Sequence, residues 1–243
     1  MKRSLLLLYA LGAYLAGLGT LTYMLLWLYP WSFMPTTVDH AYPDGGALAP
    51  AIDLGLIALF GLQHSWMVRP RFKSWIATYL SEASLRATYT LISSLLLALL
   101  LYFWHPLPQK IWDFSSPGRE LITGLYVAGW LVAVLATFQI DHFELFGLHQ
   151  AYRAFRGIPE PQATFQERGF YRWVRHPIQS GTLLGIWATP LMSLGHLLFA
   201  VAFSVYILIG LYFEERDLSR SLGKEYEEYR RRVPMLLPLP RKK

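Results

Sequence analysis

The chain of 243 residues contains no cysteine. A disulfide framework, a cysteine metal site and a cysteine nucleophile are therefore excluded, and the redox compartment stays open. Three common motifs are also absent: a Gly-x-Gly-x-x-Gly fingerprint after a predicted strand, a phosphate loop and a His-Glu-x-x-His motif. These absences argue against cofactor binding by a soluble Rossmann-type domain, and we expect no metal site.

Charged residues are scarce and apolar residues are abundant. Asp, Glu, Lys and Arg make up 16% of the chain, whereas apolar residues make up 54%. A helix needs about 20 predominantly apolar residues to cross a membrane. Five stretches meet or approach that length, at residues 5–29, 51–68, 83–104, 121–140 and 178–213. The first lacks a cleavage site followed by a polar mature domain, so a retained helix is expected rather than a signal peptide.

The last apolar stretch is too long for a single crossing. It is interrupted around Pro190 and residues 193–196, which favour a turn, so a tight helical hairpin is predicted there. The sequence therefore predicts an all-α, polytopic membrane helix bundle with about six membrane-embedded segments. We expect a four-helix transmembrane region over residues 1–140. Residues 141–243 are predicted to form a cytoplasmic loop, the hairpin and an amphipathic tail.

The basic residues indicate orientation. The formal charge is +6, but the Lys and Arg residues lie between apolar segments, so membrane topology explains them better than nucleic-acid binding. With the N-terminus inside, 20 of the 22 fall on the cytoplasmic side, including Lys2 and Arg86, and only Lys110 and Arg119 lie outside. Both termini are therefore predicted to be cytoplasmic.

The predicted hairpin brings two polar motifs together. Arg175-His176-Pro177 precedes it and Glu214-Glu215 follows it, so antiparallel helices of similar length would place both at one membrane face. Pro177 suits the first turn of a helix, where free N–H groups attract a ligand carboxylate. Gly181, one turn later, would allow a ligand or another backbone to approach. Alternatively, these charged residues only mark where helices meet water.

Polar residues outside the hairpin can also be interpreted from the sequence. His64 and Gln63, near the predicted cytoplasmic end of the second segment, are either functional or hydrogen-bonded core residues. Tyr226, Tyr229 and Val233 recur at helical spacing and could form the apolar stripe of a helix on the membrane surface.

The ordered set of motifs over residues 175–234 resembles a known superfamily. Arg-His-Pro, Gly four residues later, a hairpin, Glu-Glu-Arg and Tyr-x-x-Tyr-x-x-x-Val-Pro are similar to isoprenylcysteine carboxyl and phospholipid methyltransferases. Within that superfamily, residues 64–73, 143–148, 195–200 and 233–238 are most similar to the bacterial methanethiol S-methyltransferases. The resemblance implies a multi-pass protein of the bacterial inner membrane that contacts lipid.

The resemblance also implies an activity and a cofactor. Methyl transfer from S-adenosylmethionine to a small thiol, methanethiol, would release dimethyl sulfide. The motifs assign cofactor binding to seven residues: Arg175, His176, Pro177, Gln179, Gly181, Glu214 and Glu215. Relatives usually have Tyr at the position of Gln179, so cofactor contacts there are expected to differ.

The chemistry of the residues suggests catalytic roles. A thiol reacts as its thiolate, so Glu214 or His176 is expected to accept the thiol proton and Arg216 to stabilise the developing anion. Other methyl acceptors, a non-enzymatic accessory protein of nitrite and nitric oxide reduction, and a nicotinamide-dependent steroid-reductase type remain alternatives. The sequence leaves the oligomeric state open.

Overall fold

A computed structural model describes residues 3–40, 46–161 and 165–239, so Lys2 and the basic residues 241–243 lie outside the described part. Within it, ten α-helices and two short strands follow one another in the order α1 Arg3–Trp27, α2 Ala49–Met67, α3 Pro70–Ile76, α4 Glu82–Tyr102, β1 Lys110–Asp113, α5 Gly118–Ile140, α6 His142–Leu145, α7 Leu148–Arg156, α8 Pro177–Trp187, β2 Leu191–Ser193, α9 Leu194–Leu222 and α10 Lys224–Arg232. Single 3-10 turns lie at Gly46–Leu48 and Gly169–Arg172.

Among the described residues, five helices are long and apolar enough to cross a membrane: α1, α2 with its preceding 3-10 turn, α4, α5 and α9. The chain is thus an all-α, multi-pass membrane protein, which confirms the predicted fold class. Arg86, expected in a connection, lies in the second turn of α4. The side of the membrane on which each terminus lies stays a prediction.

The chain forms two compact units. The first contains residues 1–109, 142–161 and 193–196, and therefore α1 to α4, α6 and α7. The second contains residues 110–141, 162–192 and 197–243, and therefore β1, α5, α8, most of α9 and α10. The predicted division after residue 140 stays a prediction.

In the first unit, α1 packs against α4 and α7, and α2 packs against α4. Small residues allow the close approach of these helices: Ala10, Ala13, Ala87 and Ala151 belong to one buried cluster. Gly147, between α6 and α7, has φ +90°, and a Cβ on it would lie 2.5 Å from the backbone nitrogen of Ala87. Only glycine fits both this backbone conformation and this contact.

In the second unit, α5 packs against α8 through glycines on both helices. A Cβ on Gly181 would lie 2.5 Å from the backbone nitrogen of Ala133, and a Cβ on Gly129 would lie 2.6 Å from that of Gly185. Backbones of membrane helices approach closely where such small residues face each other. The close approach expected at Gly181 is therefore that of α5.

The predicted hairpin is present, but its two helices differ in length. α8 has 11 residues and α9 has 29. The chain bends at Pro190 before β2, which pairs with β1, and residues 194–196 form the first turn of α9 rather than part of the break. The prediction of two helices of similar length is therefore wrong.

Candidate active site

The side chain of Glu215 on α9 is the centre of a buried polar cluster. Its Oε1 accepts hydrogen bonds from Arg175 Nε at 2.8 Å and Tyr226 Oη at 2.7 Å, and lies 2.7 Å from His176 Nε2. Its Oε2 accepts one from Arg175 Nη2 at 2.8 Å and lies 3.2 Å from Arg230 Nε. Two guanidinium groups compensate the charge of this buried carboxylate, which burial would otherwise make costly.

Arg175 also connects the end of α10 and the segment after it to the start of α8 through hydrogen bonds. Its Nη1 donates to the carbonyl of Val233 at 2.6 Å and to that of Arg230 at 3.2 Å. The backbone N–H groups of Arg175 and His176 donate to the carbonyls of Pro234 and Met235. The Val-Pro motif thus contributes backbone acceptors, because it runs beside the Arg-His-Pro corner.

The contacts of His176 define which ring nitrogen carries the proton in the neutral ring. The side chain is 4% exposed, and a carboxylate such as that of Glu215 can only accept hydrogen bonds. The hydrogen therefore lies on Nε2, and Nδ1 keeps a lone pair. Nδ1 lies 3.9 Å from Oε1 of Glu214.

The two adjacent glutamates have different environments. The side chain of Glu214 is 48% exposed, whereas that of Glu215 is 8% exposed. Glu215 has its acceptor positions occupied by protein groups, so it holds the cluster together. Glu214 presents its carboxylate beside His176 and is the one with room for an outside ligand.

The remaining predicted residues lie around this centre. Pro177 is buried and begins α8, as predicted, and Gln179 is half-buried in the first turn. Arg216 is exposed, and its guanidinium carbon lies 5.3 Å from the centroid of the Phe213 ring. The structure therefore brings together Arg175, His176 and Glu215, with Glu214 at 3.9 Å, and directs Arg216 toward Phe213.

Sequence reasoning did not assign Tyr226 and Arg230 to the site. Tyr226 and Tyr229 of α10, with Val233 directly after the helix, form a buried cluster packed with Phe165, so the apolar stripe faces protein. Burial and the hydrogen bond to Glu215 raise the pKa of Tyr226 above its ordinary value. Burial and the charge of Glu214 raise the pKa of Tyr171. A hydroxyl on the apolar face of α10 was the available signal, because a buried Tyr usually finds a polar partner.

Known proteins are similar to this chain over almost its whole length. A protein from Mycobacterium tuberculosis named methanethiol S-methyltransferase is 44% identical over 241 residues, covering 99% of this chain and 98% of the relative. Methanethiol S-methyltransferase 2 of Bradyrhizobium diazoefficiens is 45% identical over 236 residues, covering 97% and 91%. The chain belongs to the methanethiol S-methyltransferase family.

Two further comparisons place this family in a wider group. Residues 54–235 match the sequence profile described as NnrU protein. Human nurim is 31% identical over 188 residues, covering 73% of this chain and 71% of nurim. No solved structure matches the chain. The NnrU match includes every residue of the Glu215 cluster, so the cluster belongs to the part of the chain shared with this wider group.

Proposed function

We propose that this protein is a bacterial inner-membrane enzyme that transfers the methyl group of S-adenosylmethionine to methanethiol and releases dimethyl sulfide. The observation that carries this proposal is similarity at 38–45% identity to several proteins named methanethiol S-methyltransferase, over at least 95% of this chain. The buried cluster at the start of α8 supplies a candidate site for the chemistry.

The residues around His176 have donors and acceptors that suit this cofactor. The half-exposed carboxylate of Glu214 would hold its amino group or ribose hydroxyls. The start of α8, an 11-residue helix, offers backbone N–H groups and a positive dipole end to a carboxylate. Gln179, in that first turn, would donate or accept one further hydrogen bond. When bound, the cofactor supplies an electrophilic methyl group on a positively charged sulfur.

His176 is the candidate base. Its Nδ1 would accept the thiol proton, directly or through water, and so leave a thiolate for the electrophilic methyl group that the bound cofactor would supply. Glu215 fixes the tautomer that leaves Nδ1 free to accept, and it stabilises the imidazolium that forms. Glu215 is therefore a positioning residue. The role of Arg216 in stabilising the thiolate stays a prediction. Its guanidinium lies over the ring of Phe213.

Alignment and desolvation supply the remainder of the catalysis. Holding two reactants in line contributes roughly 7–11 kcal/mol in favourable cases. Reaction of a cation with an anion removes charge, so a site of low polarity accelerates it. Methanethiol is small and dissolves in lipid, which gives a reason to place the enzyme in a membrane.

The test is production of dimethyl sulfide by the purified full chain in nanodiscs. Methanethiol and S-adenosylmethionine are supplied together and the headspace is analysed by gas chromatography. We expect dimethyl sulfide from the wild type, and strongly reduced amounts from His176→Ala and Glu214→Ala at equal folded protein. His149→Ala is the matched control, since His149 lies on α7 of the first unit and is not a member of the Glu215 cluster. Binding of labelled S-adenosylmethionine without dimethyl sulfide would contradict the acceptor, and absence of binding would contradict the cofactor.

A further inference from the structure

The connection between α2 and α4 in the first unit exposes a surface that the Glu215 cluster does not use. The connection comprises residues 68–81 and contains α3, which begins three residues after α2 ends. Three residues of extended chain reach about 11 Å at most, so α3 lies close to one end of the membrane span that contains α2. The surface that α3 exposes is therefore near the boundary between hydrocarbon and water.

A row of aromatic rings covers one side of this connection. The Phe72 ring centroid lies 5.0 Å from that of Trp66 and 5.6 Å from that of Trp75. The Trp75 centroid lies 5.8 Å from that of Tyr79. Three of these rings, those of Trp66, Trp75 and Tyr79, are more than half exposed. Exposed apolar patches mark interaction sites, and Trp and Tyr are enriched where a protein meets lipid headgroups, so this aromatic row suits a membrane interface.

Two cations lie beside the aromatic row. Phe72 and Trp75 are three residues apart and share one face of α3, whereas Ser74 lies on the side opposite Phe72. Arg71 and Lys73 lie between these two faces, and both are exposed. Among the residues that the structure describes, neither cation is paired with a carboxylate. The surface of α3 therefore combines aromatic rings with positive charges at their edges.

A third cation adds to the positive potential at this surface. Desolvation by the surrounding protein and the positive charge of Arg86 on α4 lower the pKa of Lys73 below its ordinary value of 10.5. Like charges repel each other, so an anion bound beside Lys73 would be attracted by both groups and would reduce their repulsion. The electrostatics of this surface therefore favour a negatively charged partner.

We propose that the surface formed by the aromatic row, Arg71 and Lys73 binds the headgroups of anionic phospholipids. The rings lie at the level of the headgroups, and the two cations contact phosphate oxygens. The position of α3 at the end of a membrane span favours lipid over a soluble partner. A second copy of this chain would bring the same positive charges and would be repelled. The inference concerns lipid binding and does not depend on the proposed methyl transfer.

The main test measures selectivity between lipids. The full chain in a mild detergent is titrated with phosphatidylglycerol or with phosphatidylcholine, and bound lipids are counted by native mass spectrometry. We expect phosphatidylglycerol to bind more tightly. The double substitution Arg71→Gln, Lys73→Gln should weaken its binding up to about thirtyfold, because each basic residue near an anionic surface contributes roughly fivefold. Binding of phosphatidylcholine should not change.

The matched control neutralises two cations that already have a partner. Lys110 and Arg119 lie near the start of α5 and are both paired with Asp113. The double substitution Lys110→Gln, Arg119→Gln should therefore leave phosphatidylglycerol binding close to that of the wild type. Equal losses in the two double variants, or equal affinity of the wild type for both lipids, would overturn the inference.

A second measurement locates α3 relative to the lipid. Because the chain has no cysteine, one introduced cysteine carries a nitroxide label at a single position. In nanodiscs of phosphatidylglycerol, we expect the label on Trp75→Cys to be relaxed mainly by oxygen, which dissolves in lipid. The label on Ser74→Cys, the control on the other side of the helix, should be relaxed mainly by an aqueous nickel complex. Equal exposure of both labels to the nickel complex would overturn the inference.

Discussion

Two histidines of this protein, the buried His176 and the half-buried His64, have different electrostatic environments. His176, in the second unit, contacts the carboxylate of Glu215, which two arginines also contact. In the first unit, the ring nitrogens of His64 lie 3.2 Å from Ser93 Oγ and 2.5 Å from Tyr89 Oη. A carboxylate fixes one tautomer of the neutral ring, whereas a hydroxyl can donate or accept and therefore fixes none. Of the two environments, that of His176 suits a base.

The largest effect is expected from Glu215→Ala, which removes the acceptor shared by His176, Arg175 and Tyr226. Breaking one partner of a buried ion pair typically costs about 3–5 kcal/mol, because the remaining charges are left uncompensated. We expect a large drop in the thermal unfolding temperature in detergent and loss of cofactor binding. Glu214→Gln, at the half-exposed neighbour, should keep the unfolding temperature and lower only cofactor affinity. Equal destabilisation by both substitutions would show that the two glutamates do not differ as described.

His176→Gln tests whether His176 acts as the base. Loss of a general base typically lowers the rate by about 10²–10⁴-fold, while the folded protein remains. We expect such a loss in kcat for dimethyl sulfide formation. An unchanged kcat in His176→Gln would contradict the role of His176 as the base.

Gly181→Ala tests whether helix packing holds the His176 corner in position. Its Cβ would lie 2.5 Å from the backbone of Ala133, so α8 must move away from α5. Overpacking of this kind typically costs about 1–3 kcal/mol. We expect a lower unfolding temperature and weaker cofactor binding by calorimetry. Gly124→Ala on α5, where a Cβ would meet no atom within 4 Å, is the control and should change neither.

Tyr226→Phe should have the smallest effect, and it depends on pH. Burial and the Glu215 hydrogen bond hold the pKa of Tyr226 above 10.0, its ordinary value, so the folded state keeps this proton when the unfolded state loses it. The resulting stability is present below about pH 10 and decreases at higher pH, by up to about 1.4 kcal/mol per pH unit. Tyr226→Phe should therefore show a shallower loss of stability between pH 10 and 12 in thermal unfolding. An unchanged slope would contradict the raised pKa.

Much of the fold followed from patterns that sequence displays directly. The four N-terminal spans matched their predicted ranges to within a few residues, since a membrane helix requires a long apolar run. Arg175, His176 and Glu215 were predicted to meet, and they do. The break at Pro190 was predicted, but α8 and α9 were expected to be of similar length and have 11 and 29 residues, because apolar content alone does not locate the ends of a helix. The role of Arg216 stays a prediction.

By itself, the amino-acid sequence determined the multi-pass character of this protein and the residue types of its site. The multi-pass character depends on the apolar content of each segment, and the residue types of the site can be recognised in short sequence motifs. Only the tertiary structure decided which glutamate is buried, which nitrogen of His176 carries the proton, and that Tyr226 and Arg230 complete the cluster. These properties depend on distances between residues far apart in the chain, which form only when the helices pack.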